Sequence, residues 1–535
     1  MKQYLRTTGL GIVFTLSLST AVASAETLAA IDAEIQINKT IKADRGGLAA
    51  YNIYEGVTTS RIDRKIDILQ AAGISKWFYE YSSGARNYDN FYSFTSLAGV
   101  TDTSLQLVTT ASTQRLYRRG SSSRLETSSR LGAWWAPSYR GIEDTRNEQA
   151  VLAAWGSDLQ RIYVIDVPAG QTLLGGIASP MEQNGEYRPG GAYQYYYNGA
   201  PIAWLKYALY APDYVNSYSG AVASAQRVGQ TMADDLGAHL QQLRWQELAR
   251  SSIAASGKKA SDSLDTITVR SSGTSGNYQD RDGMRADYKT AGLNLYWDRL
   301  ATSQAVQGTD RSYVGVMLGQ GYNKQTNTRD VENKTRAILG GLYALRINRP
   351  DSSSPSYAYG SLFYGGLQFS NSVPGETVGT GLRQDYSGTM LALTVEKGIS
   401  LRQEHGWVLE PYVKFAYTAV RHSNFNDNVT ARVTLKQGDS LQGGLGIEAR
   451  RTLIDAAKRQ SHYWSRLTFN HEFASPIEVD VAGDKAITAV DKNKISLNVG
   501  ADLQLGRSYY ARGEVTKTFG RGQGFKGNLA LKYVW

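Results

Sequence analysis

The C-terminal half of the chain, from about Thr266 to Trp535, alternates apolar and polar residues one by one. A period of two is typical of a β-strand whose two faces meet different environments. Clusters of Gly, Ser, Asn and Asp separate the alternating segments, which indicates turns between antiparallel strands. In the last segment one face carries Phe525, Leu529, Leu531, Tyr533 and Trp535, and the other carries Lys526, Asn528, Ala530, Lys532 and Val534.

The alternation recurs in twelve segments, an even number, as a closed antiparallel membrane barrel requires. We expect the longer connections near 370–384 and 474–492 on the outer side, and 424–435 as a loop or an extension of the next strand. In the segment 357–369, the face with Tyr357, Tyr359 and Phe363 is assigned to the lipid. The predicted strands span 266–275, 285–298, 311–322, 335–347, 355–369, 385–398, 406–420, 439–452, 461–473, 493–505, 508–519 and 525–535.

Residues 220–253, ahead of these strands, have a helical pattern. Apolar residues recur there every three or four positions and so share one helical face. Two interpretations stay open: a surface helix packed on the preceding domain, or a helix threaded through the wet lumen of the barrel. The apolar face consists of Val228, Met232, Leu236, Leu240 and Leu243.

The N-terminus predicts export from the cytoplasm. Lys2 and Arg6, an apolar stretch and an Ala-Ser-Ala site ending at Ala25 form a predicted signal peptide over 1–25. The 535 residues include 58 Lys and Arg against 48 Asp and Glu; the net charge of +10 falls to +8 when Lys2 and Arg6 leave. This weak bias, without a basic block, argues against a nucleic-acid partner. The absence of cysteine suits a chain that crosses a pore unfolded.

The C-terminal part resembles the autotransporter family, which secretes proteins by the type V route. The resemblance rests on Leu409-Glu410-Pro411-Tyr412, Leu445-Gly446-Ile447 and the ending Asn528-Leu529-Ala530-Leu531-Lys532-Tyr533-Val534-Trp535. The family usually ends in Phe, so Trp535 is a departure. The resemblance implies a barrel in the outer membrane of a Gram-negative bacterium, with the last strand as its assembly signal. It also implies lipid, the barrel-assembly machinery and periplasmic chaperones as partners, and a passenger that is displayed at the cell surface or released.

The predicted fold is mostly β: a twelve-stranded antiparallel outer-membrane barrel with a lumenal linker helix, preceded by a small α+β passenger domain. The N-terminal part of the passenger, 26–100, receives no role. Within the passenger we predict a helix over 147–160 and strands near 162–168 and 193–197. The predicted divisions are a signal peptide at 1–25, a passenger at 26–100 and 101–215, a linker helix at 216–262 and a barrel at 263–535.

The passenger contains no histidine and no cysteine, which limits its chemistry. All five histidines lie beyond it, so a Ser-His-Asp hydrolase, a Cys-His protease and a His-ligated zinc site are excluded there. No metal site and no cofactor of the barrel are predicted. The histidines are His239, His405, His422, His462 and His471.

Residues 115–200 resemble NAD-cleaving toxins of the ADP-ribosyltransferase fold, most closely the tuberculosis-necrotizing-toxin type of NAD glycohydrolase. The tightest match is Pro189-Gly190-Gly191 followed by Gln194-Tyr195. The resemblance implies NAD as substrate and Arg118 as its phosphate or ribose contact. Gln194 would take the position of a catalytic glutamate, with Glu186 as an alternative acid. Trp134, Trp135 and Tyr193 would then line the NAD pocket.

These passenger residues also allow a structural interpretation. Arg118 could be a surface charge, Trp134 and Trp135 could belong to the core, and Pro189-Gly190-Gly191 could form only a turn. Gln194 supplies no negative charge, which favours hydrolysis of NAD over transfer to a protein. The main alternative function is a non-catalytic adhesin or another passenger that binds a host cell surface.

Overall fold

The computed structural model describes most of the chain from Gln106 onwards. The predicted signal peptide and the segment 26–100 lie outside the described residues. Those described are 106–123, 131–132, 134–153, 156–178, 181–183, 185–197, 199–255, 265–279, 285–301, 310–376, 380–403, 406–456, 459–488, 491–506 and 508–535.

Within the described residues, twelve long antiparallel strands close into a barrel. Each strand pairs with the next along the chain, and the first pairs with the last to close the ring, placing Thr266 opposite Val534. The barrel strands are β10 (Thr266–Gln279), β11 (Arg285–Leu300), β12 (Arg311–Asn327), β13 (Glu332–Asn348), β14 (Ser356–Val373), β15 (Leu382–Ile399), β17 (Trp407–Arg421), β20 (Asp439–Ile454), β21 (Gln460–Glu472), β24 (Asn493–Gln504), β25 (Tyr509–Phe519) and β26 (Gln523–Val534). These strands confirm the twelve predicted ones.

Four short strands outside the barrel form a sheet of their own, which we call the loop sheet. They are β18 (Phe425–Asn426), β19 (Arg432–Gln437), β22 (Ile477–Val481) and β23 (Asp484–Thr488), in the order β18-β19-β22-β23. The segment 424–435 is therefore not a thirteenth barrel strand, and instead pairs with residues from another connection. A two-residue strand, β16 (Leu401–Arg402), pairs with the start of β17.

Residues 106–210 form an α+β unit outside the barrel, which we call the surface domain. Its elements are β1 (Gln106–Thr109), β2 (Gln114–Gly120), β3 (Trp134–Trp135), α1 (Ile142–Glu148), β4 (Arg161–Val167), β5 (Thr172–Ile177), β6 (Met181–Gln183), β7 (Glu186–Arg188), β8 (Tyr193–Tyr196), a 3₁₀ turn (Ile202–Trp204) and β9 (Leu205–Tyr210). The strands make a four-stranded sheet in the order β1-β5-β8-β3, a three-stranded sheet in the order β2-β4-β9 and the hairpin β6-β7.

The predicted helix over 147–160 is wrong. The helix α1 lies earlier, and Ala150 and Leu159 adopt positive φ angles of 54° and 56°, which a right-handed helix does not allow. Ala150 and Leu159, which suggested a helical face, are instead buried residues on an irregular segment.

A single helix, α2 (Ala211–Ala255), connects the surface domain to the barrel. It follows β9 directly, beginning at Ala211 rather than at 216. The helix lies within the barrel lumen, so the second of the two predicted interpretations is correct. None of the described helices contains a stretch apolar enough to cross a bilayer.

The two ends of α2 define the orientation of the barrel. Asp213, in its first turn, lies 3.6 Å from Arg329 in the turn between β12 and β13. Its C-terminal end precedes β10, whose first residue pairs with the end of β26. The surface domain therefore lies at the end of the barrel that carries the long connections, including 374–381 and 473–492. Because barrels of this type keep their long loops outside the cell, that end is the outer one.

Candidate functional site

The lumen has two unlike walls. Along β11–β15 the inward side chains are mostly apolar or aromatic, and they bury the apolar face of α2. Along β20–β26 the inward side chains are largely charged or amide-bearing. Inward residues of the first wall include Tyr296, Met317, Leu339, Tyr343, Phe363 and Leu367, and those of the second include Glu448, Arg450, Asp502, Arg512, Glu514 and Lys526.

This asymmetry corrects one assignment made from the sequence. Tyr357, Tyr359 and Phe363 face the lumen and are at most 4% exposed, whereas Leu362 and Tyr364 face outwards. The assignment was wrong because both faces of β14 are apolar. One meets lipid and the other meets the helix, so alternation could not tell them apart.

Polar side chains of α2 attach it to the barrel wall. His239 Nε2 lies 2.9 Å from both carboxylate oxygens of Asp298, and its ring stacks on Tyr296 with centroids 4.3 Å apart. Asp235 accepts a hydrogen bond from Ser272 at 2.6 Å and pairs with Lys526 at 2.8 Å. Buried polar groups of this kind are stable only when they are paired. These contacts therefore fix the rotation and the height of the helix in the lumen.

Further contacts of α2 lie towards its C-terminal end. Gln242 Nε2 donates to Asp502 at 2.6 Å, and Arg244 pairs with the buried carboxylate of Glu410. The Arg244 guanidinium also lies 3.7 Å from the centre of the Tyr357 ring. Ionic contacts thus occur along most of the length of the helix.

On the side of α2 that faces away from the apolar wall, a cavity of about 250 Å³ remains between the helix and the charged wall. Asp234 of α2 faces it and pairs with Lys414 at 2.8 Å. Its lining is rich in charges of both signs, including Arg227, Glu396, Arg466, Asp491, Lys494 and Lys526. The lumen is thus filled by the helix on one side and remains polar on the other.

The outward face of the barrel is apolar. Leu342 and Leu529 are 65% and 71% exposed, and comparable side chains recur on every barrel strand. On β26 the predicted alternation is confirmed: outward Phe525, Leu529, Leu531, Tyr533 and Trp535 alternate with inward residues. An apolar band with aromatic residues near its edge and a polar lumen is the pattern of an outer-membrane β-barrel.

These features define the class of protein: a membrane β-barrel whose lumen holds a helix joined to an outer domain. Residues 267–516 match the family model described as Autotransporter beta-domain. The barrel region belongs to the autotransporter β-domain family, which places it in the outer membrane of a Gram-negative bacterium.

Individual relatives are similar over the same kind of region. The Pertactin autotransporter of Bordetella parapertussis is 26% identical over 257 residues, covering 48% of this chain and 27% of that protein. The Adhesin BmaC autotransporter of Brucella suis biovar 1 is 24% identical over 177 residues, covering 31% of this chain and 5% of that protein. The chain therefore spans about a quarter or less of the length of these relatives. The solved translocator domain of NalP from Neisseria meningitidis has a TM-score of 0.40 at 15% identity, covering 57% of this chain and 99% of that structure.

In the surface domain, Arg118 lies on β2 and is half-buried. Its guanidinium lies over the Tyr163 ring, 5.9 Å from the centroid, and against Gly132. A Cβ atom at 132 would lie 2.1 Å from Arg118 Cζ, so only glycine permits this packing. Arg118 borders a cavity of about 10 Å³, which holds roughly one water molecule and not a dinucleotide.

Gln194 and the predicted aromatic residues lie together in the four-stranded sheet. Trp134 pairs with Tyr196 across β3 and β8, and their ring centroids are 5.2 Å apart. Gln194, two residues before Tyr196 on the same face, is 5% exposed. Trp135 and Tyr193 lie on the other face, in or against the domain core. Burial raises the pKa of Tyr193 to about 12, so its hydroxyl is neutral at physiological pH.

Glu186 belongs to the β6-β7 hairpin, where its carboxylate is occupied. It accepts from the Ala153 amide at 2.8 Å and from Arg188 Nε at 2.8 Å. The turn before β8 has the expected backbone: Gly190 and Gly191 have φ angles of 67° and 101°. The structure thus groups Gln194 with Trp134 on one sheet face, while Arg118 lies on the other sheet and Glu186 on the hairpin.

Residues that sequence reasoning missed lie where the surface domain meets the barrel loops. Asp484, at the start of β23, accepts from the Tyr139 hydroxyl at 2.8 Å and the Ile142 amide at 2.9 Å, and pairs with Arg119. Asp427 accepts from Tyr218 at 2.6 Å. Both are isolated acids in polar loops, and no local pattern distinguishes them from solvated loop residues.

Proposed function

We propose that this protein is an autotransporter that carries its own N-terminal domain through the outer membrane and displays it on the cell surface. The observation that carries the proposal is the course of α2 through the lumen, with the surface domain at its outer end and β10 after its inner end. This course places the N-terminal part of the chain at the outer end of the barrel, which is the arrangement that export through the lumen leaves behind. Periplasmic chaperones and the barrel-assembly machinery are the proposed partners of assembly.

An epitope inserted between Ala169 and Gly170, in an exposed turn of the surface domain, tests this topology. We expect antibody to bind the epitope on intact cells. The matched control is the same epitope between Asp455 and Ala456, which follow β20 at the opposite end of the barrel. It should bind antibody only after the outer membrane is permeabilised. The reverse pattern, with an assembled barrel, would contradict the proposal.

We also propose, as a second function, that the surface domain cleaves NAD. The observation that favours this activity is the arrangement around Gln194, which follows a Gly-Gly turn with positive φ angles and lies on the face that carries Trp134. An amide that holds the ribose hydroxyls can stabilise an oxocarbenium-like transition state without forming a covalent bond. Arg118 is the proposed contact to the NAD phosphates or ribose; because the cavity beside it holds only about one water molecule, this contact requires the side chain to move when NAD binds.

Full-length protein in detergent should then consume NAD. Gln194→Ala should lower the rate by about 10²-fold or more, as loss of a transition-state hydrogen bond does, and Arg118→Ala should raise KM. Gln171→Ala, just before β5 in the same domain, is the control and should leave the rate unchanged. Label transferred from NAD to a protein, lost in Glu186→Gln, would indicate a transferase.

The alternative is an adhesin, and one of the similar proteins bears that name. A folded surface domain that leaves NAD intact, but shows saturable binding to host cells, would favour this function over NAD cleavage. Both outcomes leave the proposal of export untouched, because the epitope experiment measures topology alone.

A further inference from the structure

The loop sheet has one apolar face, although it lies outside the membrane. Val433 pairs with Val481 across β19 and β22, and Val479 and Ala486 lie beside them. All four side chains are at most 1% exposed. Apolar side chains on extracellular loops are buried only if something covers them.

The cover is the surface domain. Tyr117, Tyr139, Ile162, Val164 and Leu209 of that domain belong to the same hydrophobic cluster as the loop-sheet valines. The first turns of α2 contribute to it as well. This core is therefore built jointly by the surface domain, the outer end of the helix and the barrel loops, and it continues from one to the other without a break. The loop and rim members of the cluster are Val331, Val373, Leu382, Val429, Ala431, Val433, Val479, Val481 and Ala486.

A buried ionic contact lies at the edge of this core. Arg119 is 8% exposed; it pairs with Asp484 of the loop sheet and donates to the backbone oxygen of Arg140 at 3.1 Å. Asp484 also accepts from the Tyr139 hydroxyl and the Ile142 amide. A buried guanidinium needs a carboxylate partner, and the surface domain obtains this one from the barrel.

A second connection extends the three-stranded sheet of the surface domain. The Glu376 amide donates to the Ala208 oxygen at 2.8 Å, and Thr380 forms a parallel bridge with Tyr207. Glu376 also pairs with Arg161. The connection between β14 and β15 thus covers the edge of β9, an edge that would otherwise offer unpaired backbone groups to other chains.

We propose that the surface domain folds on the outer loops of its own barrel, which complete its core and one of its sheets, and that it remains seated there after export. The interface partner is the chain's own residues 106–210. This inference rests on the proposed export and goes beyond it, because it assigns the barrel a second task as a folding template and a permanent seat for the domain.

Two substitutions in the loop sheet test the proposal on intact cells. Asp484→Ala removes the partner of Arg119, and Val481→Asp places a charge in the shared core. We expect the surface domain of each variant to be degraded at a protease concentration about ten-fold or more lower than in the wild type, because local opening governs cleavage. Lys485→Ala is the matched control, since Lys485 neighbours Asp484 on the same strand but its side chain is 64% exposed.

Because the chain has no cysteine, a pair of introduced cysteines can report whether the surface domain lies against the loop sheet on cells. A Cβ atom at Gly141 would lie 3.0 Å from the Ala482 oxygen. A Gly141→Cys, Ala482→Cys pair should therefore be joined on cells by a short bifunctional thiol reagent such as dibromobimane. A pair of Gly141→Cys with Arg521→Cys, on the turn between β25 and β26, is the control and should not be joined.

The outcomes separate this inference from the proposed export. If the epitope at 169 is exposed on cells, but Asp484→Ala and Val481→Asp resist protease as well as Lys485→Ala and the wild type do, and no crosslink forms, the inference is wrong and export stands. If the epitope is not exposed, export itself fails. Heat-modifiable migration of the barrel, measured for each variant, identifies any substitution that prevents barrel assembly. Where a loop substitution does so, the crosslink between Gly141→Cys and Ala482→Cys tests the inference in its place.

Discussion

The barrel and the surface domain differ in how far apart along the chain their contacting residues lie. Every barrel strand pairs with the next, and a single long-range pairing, β10 with β26, closes the ring. The surface domain has an internal core around Trp135, but a second core joins its Tyr117 to Ala486 of the loop sheet. The barrel is therefore specified by local alternation and turns, whereas part of the domain's packing depends on segments that only a finished barrel brings together.

The largest effect is expected from deletion of 525–535. Because β26 pairs with both β10 and β25, its loss leaves two strand edges open to lipid, where unpaired backbone groups are not tolerated. We expect no heat-modifiable barrel in the outer membrane. Trp535→Phe is the control, since Trp535 follows the end of β26 and the change keeps an aromatic ring; it should assemble normally. Normal assembly of the deletion variant would contradict a closed barrel.

An intermediate effect is expected from a charge on the lipid face. Leu342 lies near the middle of β13 and is 65% exposed, so Leu342→Arg should destabilise the barrel by about 2–4 kcal/mol. In the surface domain, Tyr187 is 54% exposed to water, and Tyr187→Arg should cost about 0.5 kcal/mol or less. Thermal loss of the heat-modifiable form measures the first change, and protease resistance of the domain measures the second. Equal tolerance of both substitutions would mean that the outward face of β13 does not meet lipid.

The smallest effect is a dependence of domain seating on pH. Burial raises the pKa of Asp213, at the outer end of α2, to about 6; Arg329 opposes the shift and Glu376 adds to it. Between pH 4 and 6 the folded state therefore holds a proton that the unfolded chain has released. The stabilisation that Asp213 contributes is greatest below about pH 4, falls as the pH rises to 6, and is lost above that pH. Burial also raises the pKa of Asp427, which acts in the same direction.

We expect the contribution of Asp213 to be on the order of 1 kcal/mol, because its partner Arg329 is 53% exposed and water screens the pair. Protease resistance of the seated domain at pH 5 and pH 7 should differ less in Asp213→Asn than in the wild type. Identical pH profiles for the two proteins would show that Asp213 titrates normally in the seated state.

Sequence reasoning recovered the barrel strands because each combines an apolar outward face with turn residues at its ends. It failed at β14, where the lumenal face is as apolar as the lipid face. It failed again after α1, where positive φ angles at Ala150 and Leu159 break a helical pattern that composition alone suggests. Gln194 and Trp134 were expected near one another and share a sheet face, but Asp484 gave no signal, since its role depends on Arg119, hundreds of residues away.

Because β9 ends at Tyr210 and α2 begins at Ala211, the surface domain is connected to the helix without a linker, which determines how the molecule bears a pulling force. No flexible linker separates β9 from α2, so a pull on the surface domain passes straight into a helix of 45 residues, about 68 Å long. The load is then shared along the lumen by contacts such as His239 with Asp298 and Arg244 with Glu410. A force along the axis of α2 would therefore act on many helix–wall contacts at once. All of them would have to break before the helix could be pulled out of the barrel.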